Sequence, residues 1–260
     1  MPMINADDGC PIHVEVAGSD SAPALMLSNS LGTNLNMWDD QVDTWSKHFR
    51  VIRYDRRGHG RSGAPQGPYS MERFGRDVIS VLDALDVKKT NWCGLSMGGM
   101  VGQWLGANAP TRMNRMILSN TACYYADKPF WNGRIKLLRE KGLGAIVDPT
   151  IERWFTKDFR DSAPQTIADM SRMLLATPLE GYIGCCEAVR DMDFRASTPT
   201  ITAPVMVIVG TKDPATLPEH GHEINKMIKG SKIVELDAAH LSNIEQPKAY
   251  TDAVLNFLTH

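Results

Sequence analysis

The apolar positions of this chain alternate between two spacings. Short apolar runs at Ile12–Ala17, Ala24–Ser30, Arg50–Tyr54, Thr90–Gly94, Arg115–Ser119, Pro204–Val209 and Lys232–Leu236 read as strands. Between most of them the spacing is helical. Met71, Phe74, Val78, Val81, Leu82 and Leu85 recur every three or four residues, which puts them on one face of a helix, and Tyr250–Leu258 repeats the pattern near the C-terminus. Alternating strands and helices predict an α/β fold: a mainly parallel sheet with helices on both faces.

The alternation stops between about Cys123 and Ser197. There the pattern gives consecutive helices at Pro129–Lys141, Gly144–Trp154, Ala163–Leu175 and Leu179–Val189. A helical block inserted into a strand-helix series predicts a cap over the carboxyl edge of the sheet, where such sheets bind ligands. The expected division is a sheet-bearing core over 1–122, the cap over 123–197, and the rest of the core over 198–260. Trp131, Trp154, Phe155, Met170 and Met173 could wall an apolar pocket, although each is equally suited to joining cap to core.

Composition narrows the function classes. The 260 residues are 43% hydrophobic and 22% charged, enough for one enlarged domain or two small ones. With a net charge of −2 and no clustering of Lys and Arg, a nucleic-acid partner is not expected. No run approaches the ~18 apolar residues of a membrane span, and the N-terminus lacks a basic stretch leading into an apolar one, so a cytoplasmic protein is expected. The five cysteines are odd in number and show no C-x-x-C spacing. They predict buried thiols rather than a metal site.

The most specific motif is Gly94-Leu95-Ser96-Met97-Gly98, a G-x-S-x-G match directly after a strand and directly before a helix. A turn that sharp strains the serine backbone, and Gly94 and Gly98 lack the Cβ atoms that would collide across it. Ser96 then stands at a helix N-terminus, where the dipole and free N–H groups favour developing negative charge. That geometry makes Ser96 the candidate nucleophile. His240, just beyond the last strand and ahead of Pro247, is the candidate base. His59, in Gly58-His59-Gly60, is a rival on a loop at the same edge, but it precedes the serine, whereas this architecture orders the groups serine, acid, histidine; it reads as a loop brace. Asp213, directly after the penultimate strand, is the candidate orienting acid, since the strand before ends in Ser119-Asn120-Thr121 without a carboxylate. An Asp before Pro also initiates turns, and position alone does not separate the two roles. Two backbone donors are needed for an oxyanion: Met97 supplies one, and Leu31, in Ser28-Asn29-Ser30-Leu31-Gly32-Thr33, is the choice for the other.

With these residues in place, the chain resembles the α/β-hydrolase fold along nearly its whole length: Gly94-Leu95-Ser96-Met97-Gly98-Gly99, Asp55-Arg56-Arg57-Gly58-His59-Gly60-Arg61-Ser62, Gly210-Thr211-Lys212-Asp213 and Ala239-His240 carry the likeness. Within that superfamily, Ser28–Thr33 with Met37-Trp38 and the compact cap resemble the 3-oxoadipate enol-lactonases of bacterial aromatic-compound catabolism (the β-ketoadipate pathway). The resemblance implies a small, anionic enol-lactone substrate opened through an acyl-enzyme, with no metal or organic cofactor. Other small-ester hydrolases and cofactor-free perhydrolases share most of the motifs, and a small-molecule receptor is a further alternative on this fold. A substrate carboxylate in an apolar pocket needs a cation, because leaving it unpaired costs several kcal/mol. Arg134, with Trp131 three residues before it on one helix face, is the choice; Lys128, Arg139 and Arg190 are alternatives.

Overall fold

The computed structural model describes residues 3–260. Eight strands form one sheet in the order β1-β2-β4-β3-β5-β6-β7-β8, comprising β1 (Met3–Asn5), β2 (Pro11–Ala17), β3 (Ala24–Ser28), β4 (Arg50–Tyr54), β5 (Thr90–Leu95), β6 (Met113–Ser119), β7 (Val205–Gly210) and β8 (Lys232–Leu236). β1 and β2 pair antiparallel, and every pairing from β4 to β8 is parallel. β5 and β7 are buried at every position, and β7, Val205–Gly210, is accordingly a continuous apolar run rather than an alternating one.

Among the described residues, eleven α-helices accompany this sheet. They are α1 (Asp39–Trp45), α2 (Met71–Ala84), α3 (Met97–Asn108), α4 (Lys128–Lys141), α5 (Val147–Trp154), α6 (Lys157–Ser162), α7 (Pro164–Leu175), α8 (Leu179–Asp191), α9 (Pro218–Met227), α10 (Ser242–Glu245) and α11 (Pro247–Thr259). Capping marks several of their starts: Ser70 accepts the Arg73 N–H ahead of α2, and Asp127 accepts the Phe130 N–H ahead of α4. α4 to α8 all lie between β6 and β7. The helix expected over Gly144–Trp154 is instead a 3-10 turn at Leu143–Ile146 followed by α5. Pro149 explains the break, because a proline fits the first turn of a new helix but would interrupt a continuous one.

Parallel register brings the site residues together. Ser28 pairs with Gly94, Leu95 with Ser119, Ser119 with Ile208, and Gly210 with Leu236, so the carboxyl ends of β3, β5, β6, β7 and β8 form one edge. Leu31, Ser96, Asn120, Asp213 and His240 all follow within four residues of those ends. After β4 the chain crosses back to add β5 on the other side of β3, so the order of strand addition reverses between β3 and β5, the crevice such folds use for ligands. The helices between β6 and β7 pack closely on this edge: a Cβ on Gly58 would lie 2.6 Å from the backbone of Gly181 in α8, and one on Gly32 would lie 2.6 Å from the Leu174 side chain in α7.

Candidate active site

Ser96 sits between β5 and α3 with φ +57°, a left-handed conformation that few non-glycine residues adopt. Its surroundings hold it there. The Ser96 N–H donates to Ser119 O at 2.8 Å, and Thr121 Oγ1 donates to Ser96 O at 2.7 Å. The flanking glycines are sterically required, since a Cβ on Gly94 would lie 2.2 Å from Gly98 O and one on Gly98 would lie 2.1 Å from Ser28 O.

His240 and Asp213 are both buried, with His240 Nδ1 2.9 Å from Asp213 Oδ2. Asp213 is surrounded by donors. Oδ1 accepts the N–H groups of Ala215 and Thr216 at 2.7 and 3.0 Å, and Oδ2 accepts Thr216 Oγ1 at 2.5 Å and Asn120 Nδ2 at 3.0 Å. Burial pushes the Asp213 carboxyl up, but the charge and hydrogen bonds of His240, with those of Thr216 and Asn120, outweigh it and hold the group below its ordinary range. An ionised acid with fixed orientation is what an imidazole needs to keep its proton on Nδ1 and present Nε2 as the base. Asn120, at the strand end where no carboxylate was available, thus supports the acid of the next strand. It also donates to Ala239 O at 3.2 Å and accepts from Ser242 Oγ at 2.7 Å, tying down both sides of His240.

One cavity is lined by Ser96 and His240 together with Leu31 and Met97. Among the described residues, the N–H groups of Leu31 and Met97 have no protein acceptor. They are therefore free to serve an oxygen in the cavity. α4 and α5 contribute Trp131, Arg134, Thr150, Arg153 and Trp154 to the same cavity, while Tyr182 comes from α8. The cavity thus joins a serine, a histidine backed by a carboxylate and two free amides to two guanidinium groups. Such a set can attack a carbonyl carbon while holding an anionic substituent.

A model of the alpha/beta hydrolase fold matches residues 23–247. The chain belongs to that family. This α/β-hydrolase is 42% identical to 3-oxoadipate enol-lactonase 2 of Acinetobacter baylyi over 91% of its own length and 89% of the relative's. It is 35% identical to 3-oxoadipate enol-lactonase 1 of the same organism, covering 98% and 96% of the two chains. Among solved structures, the enol-lactonase from Burkholderia xenovorans superposes with a TM-score of 0.98 at 42% identity, covering 100% of both chains.

In this hydrolase the sequence-predicted cations separate cleanly. Arg134 lines the cavity, donating from Nη2 to Thr150 Oγ1 at 2.9 Å and Tyr182 Oη at 2.5 Å, with a buried Nε that has no hydrogen-bond partner among the described residues. Lys128 and Arg139 are exposed, and Arg190 is engaged with Asp191 at 2.7 Å; none of the three lines the cavity. Of the proposed apolar wall, Trp131 and Trp154 line the cavity, whereas Phe155, Met170 and Met173 do not; Met173 Sδ instead accepts the Asn34 N–H. Arg153 was not anticipated. It lines the cavity without a hydrogen-bonded or ionic partner among the described residues, its guanidinium 5.2 Å from the centre of the Phe130 ring. Burial, and then the nearby charge of Arg134, lower its pKa, yet arginine begins so far above neutrality that both groups stay charged. Two like charges in one cavity repel, and an anion between them relieves that cost. The helical spacing of Thr150, Arg153 and Trp154 at i, i+3 and i+4 was the available signal for this face.

Proposed function

We propose that this protein is a 3-oxoadipate enol-lactonase, opening a small carboxylate-bearing enol-lactone to 3-oxoadipate through an acyl-enzyme on Ser96. The observation that carries this reading is one cavity lined both by Ser96 and His240 and by two arginines that, among the described residues, lack a carboxylate partner. The two enol-lactonase relatives, with 42% and 35% identity over nearly the whole chain, support the same substrate class. We read residues 123–197 as the cap that supplies the cations, and the protein as cytoplasmic.

In this mechanism His240 takes the Ser96 proton as Oγ attacks the lactone carbonyl, while the Leu31 and Met97 N–H groups receive the oxyanion. Collapse breaks the bond to the ring oxygen, and the departing enolate is protonated and becomes the ketone. Water, deprotonated by His240, then attacks the acyl group and frees Ser96. Asp213 keeps the imidazole in the required tautomer throughout.

The test is turnover of enol-lactone generated in situ, followed by its ultraviolet absorbance, beside hydrolysis of an uncharged aryl ester. Arg134→Met is expected to lower kcat/KM for the lactone by about 2–4 kcal/mol, the range for a shielded charge that loses its partner, and to leave the neutral ester nearly unchanged. Arg134→Lys recovers part of the loss, because an ammonium keeps the charge but not the planar fork. Arg153→Met shifts the same selectivity ratio in the same direction. Equal losses on both substrates, or brisk ester hydrolysis with no lactone turnover, overturn the lactonase reading.

A further inference from the structure

His59 lies in the glycine-rich loop after β4, outside the cavity and fully buried, and no step above uses it. Its contacts join the loop bearing Leu31 to the inserted helices. The Gly32 N–H donates to His59 Nε2 at 2.9 Å, the imidazole stacks on the Tyr182 ring with centroids 6.3 Å apart, and Nδ1 lies 3.8 Å from Cys185 Sγ. We propose that His59 is a positioning residue for the oxyanion hole, its unprotonated Nε2 anchoring Gly32 and so fixing the direction of the neighbouring Leu31 N–H.

Three observations carry this. Gly32 has φ +82°, so its peptide is held in a conformation most residues avoid, and among the described residues its N–H has only the imidazole as acceptor. The same β4 loop grips the Leu31 loop at two further points: Arg56 Nη2 donates to Asn29 O at 2.6 Å, and Asp55 Oδ1 accepts the Leu35 N–H at 2.9 Å. A lone pair on Nε2 requires a neutral ring, and burial, followed by the adjacent Arg56 charge, lowers the His59 pKa to about 3. Tyr182 extends the chain of contacts, because its hydroxyl accepts from Arg134. Arg134 is thereby linked to the loop bearing Leu31 through one aromatic stack.

This inference rests on reading Leu31 as an oxyanion donor, and a neutral aryl ester tests it whether or not the lactone is the substrate. Amide side chains separate the two ring nitrogens: the Gln amide reaches the Nε2 position, whereas the Asn amide stops near Nδ1. His59→Asn is expected to lower kcat about 10- to 100-fold on both p-nitrophenyl acetate and the enol-lactone, somewhat less than deletion of an oxyanion donor outright, with KM changed less than about 3-fold. His59→Gln is expected to return kcat to within about 5-fold of wild type. Affinity for a boronic acid that forms a tetrahedral adduct on Ser96 should fall in step with kcat. Equal kcat in the Gln and Asn variants, a change confined to KM, or a lower Tm with kcat intact would each make His59 a packing residue and overturn the proposal. Loss of lactone turnover alone, with the ester pattern as expected, counts against the lactonase reading and not against His59.

Discussion

Replacing Ser96 with alanine is expected to lower kcat by about 10⁴–10⁶ while leaving binding of the product largely intact, because nucleophile and base act as a unit and removing either forfeits most of their joint effect. His240→Ala should be similarly severe, and the double variant little worse than either single. The structure gives no reason for a large stability loss in Ser96→Ala. The backbone of residue 96 is held by Ser119 O and Thr121 Oγ1 rather than by its own side chain, and alanine tolerates φ +57° about as well as serine does. Steady-state kinetics on the lactone, with product binding measured by calorimetry, separate lost chemistry from lost fold. Additive losses across Ser96 and His240 would show two residues working independently, and the serine-histidine assignment would fail.

Period and punctuation made most of the fold legible. β4 and β8 have the limits their apolar runs predict, and α2 begins at the Met71 that opens its apolar stripe. Elements with little to bury escaped notice. β1 has three residues at a sheet edge, α1 buries only Gln41 and Trp45, and α6 buries nothing completely, so none carries enough apolar periodicity to stand out. β3 ends at Ser28, two residues before its expected limit, because Ser30 turns its N–H towards Met37 Sδ and the chain leaves the ladder.

The candidate site was legible where a strand end fixes a residue's place. Ser96, Asp213 and His240 follow directly from that logic, and Leu31 and Met97 share one cavity with Ser96 and His240. Residues of the helices between β6 and β7 were harder to place. A helix inserted over a sheet has no register to the strands, so the sequence spacing of Trp131 and Arg134 indicates a shared face but not which way it turns. Arg153 was missed for that reason: its spacing from Thr150 and Trp154 indicates a shared face, but which way that face turns depends on how α5 packs. Glu245 shows the same limit. Its carboxylate accepts the Ala239 N–H at 3.0 Å and also bonds Thr156 in the inserted segment, while the Leu241 N–H donates to Trp154 O at 3.0 Å, so the His240 loop and the α5 end brace one another through contacts no local motif encodes.

Asp213→Asn is expected to cost about 10⁴ in kcat, and the hydrogen-bond pattern around the carboxylate explains why an amide is a poor substitute. Every group that meets Asp213 is a donor: two backbone N–H groups on Oδ1, and Asn120 Nδ2, Thr216 Oγ1 and His240 Nδ1 on Oδ2. An asparagine NH₂ placed on the Oδ1 side would confront the Ala215 and Thr216 N–H groups. Placed on the Oδ2 side, it confronts Asn120 and turns His240 Nδ1 into an acceptor, moving the imidazole proton to Nε2, where it can no longer take one from Ser96. Thr216 can rotate its hydroxyl away, but the amide of Asn120 is committed on its other side to Ser242 and Ala239. A stability loss of about 1–3 kcal/mol therefore accompanies the rate loss, the usual cost of a buried polar group left mismatched. Denaturant unfolding measures the first and lactone kinetics the second. Asp237 provides the internal control, being solvent-facing and paired with Lys212 at 2.7 Å, so Asp237→Asn should change kcat by less than about 3-fold. A damaging Asp237→Asn beside a mild Asp213→Asn would place the acid in the wrong strand-end loop and remove the basis for His240 as the base.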